Sequence, residues 1–453
     1  MATETKGSTQ ATPLGTVPPP NGDLPTSRQS SSFPGDPWSA LMPLSKGKGG
    51  EERRLKQLLD AHERWRARDC LNLLASENLS SPTVQRYLAS DLSRRYTLPL
   101  DQMLHGEKVD NGYAGTRYTD QVEELASRAT GRLLHGKFAS VRPLSGHVAS
   151  MCVLAPLLPK GARYLAVQPV DGGYDGYAPG YLPAVLGHEV LPLPLHGPTH
   201  RLDVEEVSEL LHRDRPQALV LGQSFVLFPY PLKEVAKIAH EVGALVLYDA
   251  SHVMGLIMGG TFQDPLGEGA DVVFGSTHKS LFGPQGGLFA TDREDLFQQI
   301  DAALTWRILD NAHWNRIAGL AQALLETERV GAPYASRVVE NSKALAKALD
   351  QEEVPVIGKD EGYTESHQVH LDGEELKRKF GVAPPGFARR LEAQNLIIDL
   401  VGRLGTAEAT RLGLKPKDMP KVARLIKESG LDRKDVRREI AAFRHRYRGM
   451  AFL

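Results

Sequence analysis

Two cysteines, Cys70 and Cys152, are all that the 453 residues contain. So few exclude a disulfide framework, and their separation lacks the paired spacing of a zinc site. A reducing cytoplasm is the expected location. Long hydrophobic runs are also missing: the longest apolar stretches, such as 148–158 and 244–248, fall well short of the ~20 residues a membrane-spanning helix needs. The first residues carry no apolar core of a secretory signal. Nor is there an excess of either charge, since 54 Lys and Arg nearly balance 55 Asp and Glu for a formal net charge of -1. No strong field draws such a molecule to a nucleic acid or an anionic membrane. A small-molecule partner is expected instead.

What is present points to a large folded body. With 41% apolar and 24% charged positions, the chain is long enough to bury a sizeable core and to divide into more than one globular unit. Residues 1–37 are Ser, Thr, Pro, Gly and Gln with almost no clustered hydrophobics, too little apolar surface to offset the entropy of ordering. A disordered extension is therefore expected over 1–50. From 51 to 68, Leu55, Leu58, Leu59 and Trp65 recur at helical spacing among charges, which predicts an amphipathic helix. Between about 122 and 297, helix-like stretches alternate with short apolar runs, the pattern of βαβ units around a mostly parallel sheet. Three runs, 164–167, 218–221 and 244–248, end in D-G-G-Y, G-Q-S-F and D-A-S-H. Ligands gather at such carboxyl ends of parallel strands. A long helix is expected from about 316 to 349, followed by a smaller α+β unit that includes 364–371 and 395–406. The expected organisation is an N-terminal arm and large α/β domain over 51–325 and a small C-terminal domain over 326–453.

The most informative segment is G-S-T-H-K-S-L-F-G-P-Q-G-G (275–287), in which Lys279 stands between hydroxyl residues and a glycine-rich turn. A lysine tethers a carbonyl cofactor only as the free amine, so it needs burial or a nearby cation to lower its pKa. An isolated Thr-His-Lys is ordinarily a solvated loop. D-A-S-H (249–252), after an apolar strand and upstream of Lys279, changes the balance. A pyridine cofactor acts as an electron sink when a buried carboxylate keeps its ring nitrogen protonated, and Asp249 is the residue for that role. Alone, a strand-terminal Asp is more often a helix cap or a metal ligand.

These two segments, in this order, resemble serine hydroxymethyltransferase and its relatives among fold type I enzymes dependent on pyridoxal 5′-phosphate (PLP). L-L-A-S-E-N (73–78) is similar to the family's I-A-S-E-N, and G-Y-A-G-T-R-Y (112–118) to its G-Y-P-G-K-R-Y. P-L-S-G-H (143–147) resembles the phosphate-binding turn, and G-R-L-G-T (402–406) the stretch with the substrate-binding arginine. The resemblance implies an aspartate aminotransferase-like large domain, PLP as cofactor, and amino acid and aldehyde substrates. Lys279 would then form the internal aldimine, Asp249 would bond the pyridine nitrogen, and His252 and Ser224 would lie near the phenolic oxygen. Ser145, Gly146 and His278 would hold the phosphate, and His147 and Ser276 would also contact the cofactor. Arg403 would bind the substrate carboxylate, for which a planar fork is suited. Ser76, Glu77 and Tyr96 would approach a partner's cofactor, which implies a homodimer with shared sites.

Several positions depart from that family. Its ring-stacking histidine is replaced by Tyr174, a residue also able to stack and counted here with the catalytic group. The glutamate credited with work on the folate one-carbon unit has no match, Glu107 being the nearest substitute. The loop that lines the pterin site before the arginine is missing from L-I-I-D-L-V-G-R (396–403), and L-D-N-A-H-W-N-R (309–316) stands where a glycine-rich segment is usual. Tetrahydrofolate is therefore a doubtful cofactor. L-I-M-G-G (256–260) and T-E-S-H-Q-V-H (364–370) resemble the L-threonine transaldolases instead. The expected reaction is transfer of a glycine unit from threonine to an acceptor aldehyde through a glycine quinonoid. Alternatives are a folate-dependent serine or α-methylserine hydroxymethyltransferase, an aminotransferase or decarboxylase on the same fold, and a non-catalytic PLP-binding relative. No metal is expected; His313, His367 and His370 are read as core or interface histidines. The segment 97–111 is expected to be an irregular specificity loop.

Overall fold

The computed structural model describes residues 49–453. The extension expected to be disordered lies outside the described residues except for Gly49 and Gly50. The chain divides into two compact units after Glu63. The described part of the first is helix α1 (Gly50–His62), with Glu51 and Glu52 in its first turn and His62 in its last, charges that suit the helix dipole. Its Leu55, Leu58 and Leu59 form the expected stripe and are exposed.

The second unit is built on a seven-stranded sheet. Its strands in chain order are β1 (Phe138–Ser140), β2 (Arg163–Val167), β3 (Glu189–Leu193), β4 (Ala218–Leu221), β5 (Leu245–Asp249), β6 (Val272–Ser276) and β7 (Gly287–Thr291). They lie side by side as β1-β7-β6-β5-β4-β2-β3. Only β7 runs against its neighbours, so the sheet is mostly parallel, as the alternation of helix-like and apolar stretches predicted. Successive strand residues point to opposite faces, and both faces are covered. Leu219, Leu221, Val246 and Tyr248 enter one apolar cluster, with Val207 and Leu211 of α4 (Val204–Asp214) and Val235 and Ala239 of α5 (Leu232–Glu241). Ala218, Val220, Leu247 and Phe274 enter another, with Ala149 and Val153 of α3 (Gly146–Leu157) and Leu296 of α6 (Glu294–Ala303). Helices α2 (Arg117–Leu134) and α7 (Trp314–Gln351) pack on the first of these faces.

A third apolar cluster joins the end of α7 to the C-terminal residues: Leu345, Leu349, Phe387, Leu404, Ile426 and Phe443 pack with Leu71 and Leu73. Two short ladders tie this region together. Leu71–Asn72 pairs in parallel with Leu396–Ile397, and Gln368–His370 antiparallel with Arg403–Gly405. The first ladder brings a segment near the start of the unit against one near its end. Among the described residues, no helix is long and apolar enough to cross a membrane.

Segment 97–111 departs from expectation: it is not irregular. Pro99–Leu104 and Glu107–Asn111 form an antiparallel hairpin whose two-residue turn has φ 51° at His105 and φ 88° at Gly106. Positive φ at both turn positions matches the right-handed twist of a hairpin. The proline and the scattered charges hid the strand pattern. Glu107 is exposed at the turn.

Candidate active site

The carboxyl ends of β5 and β6 meet through a glycine. Gly275 has φ 154°, and a Cβ there would come within 2.6 Å of the Ser251 nitrogen. The close approach lets Ser251 Oγ accept from the Ser276 backbone N–H at 3.0 Å, fastening the turn after Asp249 to the one that leads into Lys279. Asp249 is buried at the end of β5. Its Oδ1 accepts from the Ser251 N–H at 3.0 Å and its Oδ2 from the Tyr177 hydroxyl at 2.8 Å. Gly222, after β4, leaves room for this carboxylate, since a Cβ there would lie 2.9 Å from Asp249 Cβ.

Lys279 is half-buried, and its amine is lowered to about 8 because burial outweighs the attraction of Asp249, with Arg403 adding to the depression. Its main chain is held from the far end of the unit's sequence. Asn78 Nδ2 donates to the Lys279 carbonyl at 2.8 Å, and the Tyr334 hydroxyl donates to the next carbonyl at 2.9 Å. His252 is buried, stacks on His367 with centroids 5.9 Å apart, and has Gln368 Nε2 at 3.1 Å from its Nδ1. Burial, then the charges of Lys279 and Arg403, drive its pKa well below the usual imidazole value.

Arg403 opens the strand Arg403–Gly405 and is aimed by three neighbours. Its Nε donates to Asp399 Oδ2 at 2.8 Å, its Nη1 donates to the Ser224 carbonyl, and the guanidinium lies 4.9 Å above the Phe225 ring. Asp399 also accepts from the backbone N–H groups of Val401 and Arg403 at 3.2 and 2.8 Å, so a short turn precedes the arginine.

On the opposite side, Ser145 caps α3 by accepting from the Val148 N–H at 3.1 Å. A Cβ on Gly146 would lie 2.8 Å from Ser276 Cβ, so only glycine lets the helix start sit against the end of β6. His278 Nδ1 is buried without a partner, and burial together with Lys279 lowers this ring to about 4. Tyr174 lies edge-on to Tyr177 and bonds the exposed His147 through Nδ1 at 2.8 Å; burial and the Asp249 charge push its hydroxyl up to about 12.

Ser76, Glu77 and Tyr96 stand apart from this group. Glu77 accepts from Arg66 at 2.6 Å and Asn72 at 2.9 Å, and the exposed Tyr96 donates to Asp310; no bond to the Lys279 group involves Ser76. His370 bonds Gln368 at 2.7 Å, whereas His313 is exposed at the start of α7. Among the described residues, no cluster of His, Cys, Asp or Glu is arranged to hold a metal. Among residues here not named as site residues from the sequence, five stand out: Asn78, Tyr177, Tyr334, Gln368 and Asp399. Asn78, Gln368 and Asp399 lie inside motifs already singled out, Tyr177 follows Tyr174 by three positions, and Tyr334 lies in the long helix with no local signal.

These residues fit PLP. A lysine with a depressed pKa faces a buried carboxylate at the strand ends, and a glycine-bounded helix N-terminus with an unpartnered imidazole nitrogen nearby suits a phosphate. The fold and this site define a PLP-dependent enzyme of fold type I. The family model for serine hydroxymethyltransferase matches residues 51–426, and the chain belongs to that family. The serine hydroxymethyltransferase of Methanothermobacter thermautotrophicus is 36% identical over 87% of this chain and 93% of its own length. That of Thermococcus kodakarensis is 37% identical over 88% and 95%. Among solved structures, the L-threonine transaldolase of Pseudomonas fluorescens, in its internal aldimine state, superposes with a TM-score of 0.80. It shares 26% identity over 89% of this chain and 94% of that one. The chain is a PLP-dependent transferase.

Proposed function

We propose that the protein makes and breaks the Cα–Cβ bond of a β-hydroxy-α-amino acid and passes the glycine unit of threonine to an acceptor aldehyde without folate. The observation that carries this is the grouping of Lys279 with a carboxylate held by Ser251 and Tyr177 and a guanidinium aimed by Asp399 and Ser224, whose charges act on the Lys279 amine. Bound there, PLP supplies an electron sink for the pair released when Cα–Cβ breaks. Lys279 would hold its carbonyl carbon, Asp249 its ring nitrogen, and Tyr174 its ring face. Ser145, Gly146, His147, Ser276 and His278 would surround its phosphate, and Ser224 and His252 its phenolic oxygen. Arg403 has Nε and Nη1 engaged by Asp399 and Ser224, and Nη2 would take the substrate carboxylate. A fixed carboxylate sets which Cα bond stands perpendicular to the conjugated plane.

Freedom from folate is supported by the short Asp399 turn before Arg403, where the chain lacks the longer loop that the family resemblance implies, and by the likeness to a threonine transaldolase. Incubation with threonine and a panel of aldehydes, with and without tetrahydrofolate, tests it: new β-hydroxy amino acids should form, identified by mass, in both conditions. A second reading, serine hydroxymethyltransferase, is favoured by the relatives at 36–37% identity. Serine cleavage that depends strictly on tetrahydrofolate would establish it in place of the first. Ser76, Glu77 and Tyr96 would complete the site of a second copy in a homodimer. Mixing inactive Lys279→Ala and Glu77→Gln variants should then restore activity through hybrid dimers.

A further inference from the structure

Beneath the imidazole of His252 lies a buried amide that takes no part in the chemistry proposed above. Gln368 has no exposed surface, and all four of its hydrogen-bonding positions are occupied. Oε1 lies 3.2 Å from the Val226 backbone nitrogen and 2.7 Å from His370 Nε2; Nε2 lies 3.1 Å from the Ser224 carbonyl and 3.1 Å from His252 Nδ1. An amide's oxygen and nitrogen are alike in shape and are assigned from their partners. Here two partners leave no choice. A backbone N–H can only donate, so the atom facing Val226 is the oxygen; a backbone carbonyl can only accept, so the atom facing Ser224 is the NH2.

With the amide so oriented, its second N–H points at His252 Nδ1, which must be a bare acceptor. We propose that Gln368 is a positioning residue that fixes His252 in the neutral form with its proton on Nε2, and that ties this imidazole to Arg403 through the shared Ser224 carbonyl. The neighbours agree. His367 Nε2 faces the Ala75 carbonyl at 3.0 Å and His370 Nε2 faces Gln368 Oε1, so both donate from the same ring position. A proton added to His252 at Nδ1 would meet the amide NH2 head-on. It would also sit among Lys279, Arg403, His278 and the stacked ring of His367, the groups whose charges act on it.

The consequence is directional. His252 Nε2 bonds no protein group among the described residues, so the ring offers the site an N–H donor. The only nitrogen able to take up a proton is the one Gln368 covers. His252 therefore serves as a donor to an oxygen beside Lys279 and not as the base that removes a proton. The Ser224 carbonyl, accepting from Gln368 and from Arg403 at once, makes the same amide a support for the guanidinium.

The catalytic weight of this assignment rests on the proposed cofactor site; the tautomer itself does not. The test is nitrogen-15 NMR of the holoenzyme labelled at histidine, with the His252 signals assigned from their loss in His252→Asn. In the wild type, Nδ1 should resonate as unprotonated and Nε2 as protonated at neutral pH. Gln368→Glu keeps the shape but presents an acceptor, so Nδ1 should gain a proton, and turnover should fall roughly tenfold or more, as when a partner that orients a working imidazole is lost. Gln368→Leu should leave His252 in a mixture of tautomers. A wild-type His252 protonated on Nδ1, or an unchanged pattern in Gln368→Glu with native circular dichroism, overturns the assignment. Failure of borohydride to trap the cofactor on Lys279 would sink the proposed function while leaving the NMR result to decide Gln368.

Discussion

Replacing Arg403 by lysine isolates the geometry of carboxylate recognition from its charge. The arginine side chain makes three interactions at once: Nε with Asp399 at 2.8 Å, Nη1 with the Ser224 carbonyl, and the ring face of Phe225 at 4.9 Å. With those fixing its plane, the one unengaged nitrogen, Nη2, would meet a substrate carboxylate through a charge-assisted hydrogen bond. A lysine ammonium cannot span Asp399, Ser224 and a substrate together. The loss is about 2 kcal/mol, the scale of one hydrogen bond to a charged group, which corresponds to roughly 30-fold in affinity. The fold should survive, because Asp399 keeps its bonds to the Val401 and Arg403 backbone N–H groups. The assay is spectral titration of the holoenzyme with threonine or glycine, beside a urea midpoint for each protein. A dissociation constant within about threefold of wild type, set against the tenfold that 1.4 kcal/mol brings, would refute the assignment of Arg403 to the substrate.

Lys279→Ala should abolish borohydride-stable attachment of the cofactor while sparing the fold; covalent label retained after dialysis and reduction would identify another lysine as the anchor. With the Lys279 amine at about 8, the reactive free base is about a tenth of the apo-protein at pH 7 and about nine-tenths at pH 9, so the rate of cofactor attachment should rise through pH 8 and then level off. A rate still climbing past pH 10 would mean an ordinary solvated lysine. The same shift destabilises the folded apo-protein in full below pH 8, where both states hold the proton but the fold does so at a cost, and this penalty should fade between pH 8 and 10.5. Tyr177→Phe removes the hydroxyl that donates to Asp249 at 2.8 Å and should lower unfolding free energy by about 1–3 kcal/mol, measured by urea denaturation; an unchanged midpoint would show that Asp249 does not depend on it.

Much of this site was legible in the residues themselves. Short apolar runs ending in polar residues announced parallel strands with chemistry at their carboxyl ends, and β4 and β5 end where G-Q-S-F and D-A-S-H begin; the strand β6 that leads to Lys279 was not among the runs singled out. The long helix and its limits were also readable, because its apolar periodicity is continuous. Hairpin 99–111 was not, since its register rests on two positive-φ residues, one of them a histidine that carries no turn signal. Tyr177, Asn78 and Gln368 were invisible as site residues for another reason. Each acts on a group far away in sequence: Asp249, the Lys279 carbonyl, and His252.

The sequence by itself determined which residue types are available to a carbonyl cofactor: a lysine, an acid and an arginine, in an order that local pattern alone could find. How far the Lys279 amine is depressed, what His252 Nδ1 faces, and which nitrogens of Arg403 are already engaged were decided only by tertiary structure. Desolvation, hydrogen-bond direction and charge proximity are properties of neighbours in space. Here those neighbours come from Asn78, Ser224, Gln368 and Asp399, which only the folded sheet and its two short ladders bring together.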